Sequence, residues 1–268
     1  MPDMRSSPGP NRQPIGPRWS RVGLLLALLA IAACSSGGDE GPSDGPVTAE
    51  QVLVDAAAAM VEVETAAFTL EQTGAEVAID AEGQLRFLEA RGRIARPASA
   101  DAVVTVDALG FTTEVGAIAI DGTVWFTNPL TGDWIEAPEA FTFDPAALFD
   151  PDDGLAGLLA EAAPTAELVE ADEPVATGDG ELPSGPEGAG PWHRVRATVS
   201  AERVETLTGG LVAEATVVDA WIDQATDRLA ELRFEIPIGA TVSDWRLALT
   251  DYDIEVEINP PEQVEAGS

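Results

Sequence analysis

Residues 118–126 read Ile118-Ala119-Ile120-Asp121-Gly122-Thr123-Val124-Trp125-Phe126. Two short apolar runs flank Asp-Gly, a pair that accepts the positive φ angles of a two-residue hairpin. Upstream, Ala102, Val104, Val106 and Ala108 alternate with Asp101, Val103, Thr105 and Asp107. The same period of two recurs at Phe68/Leu70, Val77/Ile79 and Leu85/Phe87, and downstream Asn128 to Gly132 makes a turn before Trp134 and Ile135. In the second half Val195, Ala197 and Val199 form one stripe, Val218, Ala220 and Ile222 another, and Ala230, Leu232, Phe234 and Ile236 a third. Tyr252, Ile254, Val256 and Ile258 read as a last strand ended by Pro260-Pro261. Leu247 and Leu249 carry the opposite parity, which predicts a β-bulge near Thr250. Alternation this regular means antiparallel sheet with one dry face and one wet face.

Helices are few. Residues 48–63 place Val52, Ala56, Ala59, Met60 and Val63 on one helical face, with capping-box spacing between Thr48 and Gln51. Asp144-Pro145 predicts a short helix carrying Leu148 and Phe149, Leu155–Ala162 a second capped by Asp152 or Asp153, and 201–208 a third. Residues 170–191 are acidic and rich in Pro and Gly, a long solvated loop inside one domain. Nine or ten strands with so few helices predict an α+β fold. The economical arrangement is one strongly curved antiparallel β-sheet with the helices packed across its concave face, and what fills the space between them decides the function.

The N-terminus reads as an address. Arg5, Arg12, Arg18 and Arg21 precede an uncharged run from Val22 to Ala33, too short to span a membrane and suited to a secretory signal. It ends Ile31-Ala32-Ala33-Cys34-Ser35, the pattern of a bacterial lipobox, with small residues before a thiol that accepts the lipid. The expected division is 1–33 signal peptide, 34–47 flexible tether, 48–262 folded domain and 263–268 tail. Acylation at Cys34 would hold the protein on the outer face of the cell membrane, since each buried methylene contributes about 0.8 kcal/mol.

Composition excludes much. All 14 basic residues are Arg against 47 acids, a formal charge of −33. Without Lys there is no Walker-type phosphate loop, and a chain of this sign offers nucleic acid no footprint. One Cys and one His build neither a disulfide nor a Cys/His zinc site. His193 reads as a structural residue at the inner rim of its strand. Asp150 to Gly154 departs from a calcium loop, because Gly stands fifth rather than sixth. No catalytic constellation, metal site or cofactor motif stands out, so the expectation is a non-enzyme without cofactors.

The lipobox, the 48–63 helix, the Asp121-Gly122-Thr123-Val124-Trp125 hairpin, Trp221-Ile222-Asp223 with Leu229–Phe234, and the stretch from Leu249 to Pro261 occur in one order. In that order they resemble the LppX/LprA/LprF/LprG lipoproteins of mycobacteria and their actinobacterial relatives. The resemblance implies a half-barrel enclosing an apolar cavity, like the LolA/LolB carriers, and a carrier of lipids or multi-acyl glycolipids across the cell envelope. It also implies a membrane exporter as a further partner; a monomer is expected. Strand parity then nominates Phe68, Leu70, Val77, Ile79, Val104, Val106, Leu232 and Phe234 as cavity lining beneath Val52, Ala56 and Met60. The alternative is a filled core in a lipid-anchored protein-interaction or sensing module.

Overall fold

The computed structural model describes residues 46–78, 83–129, 131–137, 148–150, 152–170, 185–186, 190–207, 214–262 and 264. Cys34, the leader and most of the tether lie outside the described residues. So do Ile79, the Asp144-Pro145 cap and most of 170–191.

Among the described residues eleven strands, one or two more than the sequence suggests, form a single antiparallel sheet. The N-terminal meander is β1 (Thr65–Gly74), β2 (Leu85–Ala95), β3 (Ser99–Ala108), β4 (Phe111–Ile120), β5 (Thr123–Thr127) and β6 (Trp134–Glu136). The C-terminal one is β7 (Glu167–Val169), β8 (Trp192–Val199), β9 (Thr216–Asp223), β10 (Leu229–Ile238) and β11 (Thr241–Thr250). Sheet order is β6-β5-β4-β3-β2-β1-β11-β10-β9-β8-β7. The two meanders therefore join where the first strand pairs with the last, Phe68 opposite Leu249 and Leu70 opposite Leu247. At the β4–β5 hairpin Asp121 and Gly122 both take positive φ, 50° and 79°, as the Asp-Gly pair requires.

Among the described residues three α-helices accompany the sheet: α1 (Ala49–Val61), α2 (Leu155–Ala162) and α3 (Ala201–Leu207). Thr48 Oγ1 accepts from the Gln51 amide at 3.2 Å, but the Gln51 side chain turns forward to Asp55, so only half of the capping box forms. The other end of α1 is held by Arg96, whose guanidinium donates to the carbonyls of Met60 (3.2 Å) and Val63 (2.6 Å). A cation on the last helix carbonyls completes their acceptor capacity and opposes the dipole. The buried face of α1 (Val52, Leu53, Ala56, Met60) shares one apolar core with α2 and the inner face of the sheet.

Several expectations are corrected. Val77 forms no strand: only an isolated bridge, Ala78 to Arg86, marks that segment. The bulges fall between Phe87 and Glu89 on β2 and between Leu229 and Glu231 on β10, not near Thr250. The second brings Leu229, fully buried, into the core in place of Ala230. Residues 251–260 are not a strand. The chain leaves β11 through Asp251 and Asp253, both at positive φ, and this departure produces the parity flip. The segment is tied down as a latch: the Tyr252 hydroxyl donates to the Leu229 carbonyl, and Asp253 pairs with Arg228 and accepts from the Glu64 amide. Burial pushes the Tyr252 phenol up, and the Glu64 amide holds the Asp253 carboxyl below its usual range, with Arg228 adding to it. Gly154, not Asp152 or Asp153, is the N-cap residue of α2; Asp150 Oδ1 instead accepts from both of those amides.

The wet-face expectation fails on half of the sheet. Across β8–β11 the outer face carries a buried network in which Glu231, wholly inaccessible, pairs with Arg233 and Arg246. Arg246 also reaches Glu71 (2.7 Å), and Asp219 joins Arg194 and Arg196. Trp221, 2 % exposed, lies between the Arg194 and Arg233 guanidiniums at 5.1 and 4.8 Å. Gly185, from the segment read as solvated, sits against the Trp221 indole, and its carbonyl lies 3.5 Å from Arg233. A cation on each face of an indole explains how two arginines are buried there.

Candidate functional site

Residues opposite one another in an antiparallel ladder share a face, so the registers assemble the inner surface directly. From β1 outward it runs Leu70, Ala90, Val104, Val115 across one row and Gly92, Ala102, Ala117, Phe126 across another. In the other direction it continues through Leu247, Leu232 and Ala220. Small and β-branched residues dominate these rows, and the wall is apolar across them. At Gly92 a side chain would collide with Phe68 and the β3 backbone, so glycine lets the Phe68 ring lie flat across β2.

Coverage of this wall is uneven. Ile94, Ala100 and Ala119 are sealed in the same core as α1 and Phe149. By contrast Leu70, Ala102, Val104, Val115, Ala117 and Phe126 are only half-buried. The cause is placement: α1 packs on α2 and reaches β7 and β8, and α2 reaches β8. The helices thus favour the C-terminal meander, and the middle of the N-terminal one keeps a partly open apolar strip.

An aromatic row crosses the sheet beside that strip. Trp245 on β11 stacks with Phe87 (5.1 Å between centroids) and with Phe234 (6.1 Å, nearly parallel). Its register partners are Phe234 and Gln72. Gln72 Nε2 donates to the Thr73 and Ala75 carbonyls and to Ser243 Oγ at 2.7, 2.7 and 2.9 Å.

The residues nominated from sequence divide accordingly. Val52, Ala56 and Met60 are buried in α1, and Phe68, Val106 and Leu232 are buried on the inner face. Leu70, Val104 and Phe234 face the same side and are half-buried, so they belong to the open strip. Val77, half-buried, stands outside the ladder, and Ile79 lies outside the described residues. Val115, Ala117, Phe126, Phe87 and Trp245 were missed, although Phe126 and Phe87 stood in segments whose period marked them. His193 opposes Ile222 near the start of β8, half-buried. Among the described residues no three His, Cys, Asp or Glu gather as a metal site.

An open antiparallel half-barrel with an apolar inner wall and helices on that side defines the class. The family model for LppX_LprAFG lipoproteins matches residues 48–258, and the chain belongs to that family. Its fold is shared by two solved structures. LprF from Mycobacterium bovis has 14% sequence identity and a TM-score of 0.54, and 80% of this chain covers 96% of that one. LppX from Mycobacterium tuberculosis has 16% identity and a TM-score of 0.51, and 78% of this chain covers 97% of that one. A search of curated protein sequences returns no match.

Proposed function

We propose that the protein is a lipid carrier of the cell envelope, anchored to the outer face of the membrane through an acylated Cys34. It holds acyl chains of a lipid or acylated glycolipid along its inner wall and passes them to or from a membrane exporter. The observation that carries this reading is the half-buried apolar strip of Leu70, Ala102, Val104, Val115, Ala117 and Phe126. A soluble domain would normally cover such a surface or replace it with polar residues. Exposing a sixteen-carbon chain to water costs roughly 12 kcal/mol. A wall of hydrocarbon side chains offsets that cost to about the degree a bilayer does, so loading and release need no chemical step and no catalytic group. The covalent anchor keeps the carrier at the membrane, while a body of strong negative charge stands off an anionic lipid surface.

The test is to purify residues 35–268 without the anchor, extract with organic solvent and identify the extract by mass spectrometry. Acylated lipid in near one-to-one amount is the expected result. Protein that comes away clean, and takes up no lipid when mixed with vesicles, would instead mean a packed interaction module.

A further inference from the structure

The indole nitrogen of Trp245 is a buried donor with no hydrogen-bond partner among the described residues. The other orphaned oxygens, on Glu235 and Asp244, occupy the opposite face of the sheet. A buried N–H left unpaired is costly and rare in folded proteins. The stack with Phe87 and Phe234 does not call for it, because a phenyl ring would stack as well. The neighbouring amide does not relieve it: Gln72 turns its nitrogen to the Thr73 and Ala75 carbonyls and Ser243, and its oxygen makes no bond to the indole. Trp245 thus places an unanswered hydrogen-bond donor on the inner wall, beside Gln72 and Ser243, which answer each other.

We infer that Trp245 donates this hydrogen bond to the ester carbonyl of a bound acyl lipid and so fixes how deep the lipid sits. The inference rests on the carrier reading and names the chemical group it recognises. Hydrocarbon offers no acceptor, so the partner must come from the point where an acyl chain ends. The sheet agrees with that position. On one side of Trp245 along β11 lies Leu247, about 7 Å away at the rise of a strand, whose register partner Leu70 begins the half-buried strip. On the other side β10 and β11 run out to their hairpin turn, where Ile238 pairs with Thr241 at the edge of the fold. Acyl chains accordingly extend from Trp245 onto the strip of Leu70, Val104 and Val115, and the headgroup emerges near the β10–β11 turn.

The experiment compares 1,2-dipalmitoylglycerol with its dihexadecyl ether counterpart, which keeps the chains and lacks the carbonyls. Both compete for a bound fluorescent acyl probe on the anchorless chain and on Trp245→Phe. The wild-type chain should bind the ester about five- to tenfold more tightly than the ether, the size of one net hydrogen bond. Trp245→Phe should bind both at the ether's level. In proton NMR the indole N–H resonance that Trp245→Phe lacks should move on adding the ester and not on adding the ether. Equal affinity of the wild-type chain for the two lipids overturns the inference, and so does a preference that survives in the variant. The wild-type comparison decides even if the variant does not fold. Failure of the wild-type chain to bind either lipid is a different result: it removes the carrier reading itself.

Discussion

Glu231 on β10 is wholly inaccessible, and its two oxygens are divided between Arg233 and Arg246, whose side chains are 3 % and 13 % exposed. Glu231→Gln keeps the volume, removes the charge and turns an amide toward one of the two cations. Breaking a buried ion pair from one side typically costs about 3–5 kcal/mol, because the remaining charge has been stripped of water. Here each arginine keeps some support: Arg246 retains Glu71, and Arg233 retains the Trp221 face and the Gly185 carbonyl. That places the expectation at the lower end, about 3 kcal/mol. Glu71 binds the same Arg246 from a side chain that is 42 % exposed, so Glu71→Gln should cost less than about 1 kcal/mol. Urea unfolding followed by far-UV circular dichroism measures both. With a slope of about 2–3 kcal/mol/M, Glu231→Gln should lower the midpoint by about 1 M or slightly more. A shift no larger than that of Glu71→Gln would refute the claim that the outer face of β8–β11 is buried and electrostatically locked.

Two further outcomes follow from the same geometry. Burial, with Asp244 directly opposite and Asp219 nearby, pushes the Glu235 carboxyl above its usual range. An acid with a raised folded value destabilises the fold when ionised. Glu235→Gln should therefore unfold at higher urea than wild type at pH 7, and the gap should close below about pH 4, where folded and unfolded chains both carry the proton. A gap that persists in acid would mean the substitution acts through packing. On the inner wall, Ala117→Trp places a large ring among Ala102, Phe126 and Val115. Co-purifying lipid should fall by half or more with the unfolding midpoint little changed; unaltered lipid content would place the cargo elsewhere.

Hydrophobic period carried most of the architecture. Side chains in a strand alternate strictly, so the stripes through Val104, Val106, Val195, Ala197, Val218 and Leu232 were legible as inward-facing without any knowledge of partners. The Asp121-Gly122 hairpin was legible for the same local reason: few residue pairs tolerate its two positive φ angles. Local signals ended where long-range ones took over. Whether Tyr252 to Ile258 continue a strand depends on a second strand to pair with; Asp251 and Asp253 turn the chain away, and Tyr252 finds Leu229 instead. The Glu231 network was likewise hidden, since acids and arginines on the outward parity read as solvated. Trp221 among them was the one clue that this face is covered.

What the sequence alone determined is an antiparallel, one-sided apolar sheet behind a helix, together with the expectation of an N-terminal address. These follow from interactions within a few residues of chain. Only the tertiary structure decided which parts of that sheet the helices cover, which strands meet when the first pairs with the last, and which buried donor is left unanswered. Those outcomes depend on contacts between residues up to 192 positions apart, as between Met60 and Tyr252. No local pattern encodes such a distance, because its entropy is repaid only when the whole sheet closes.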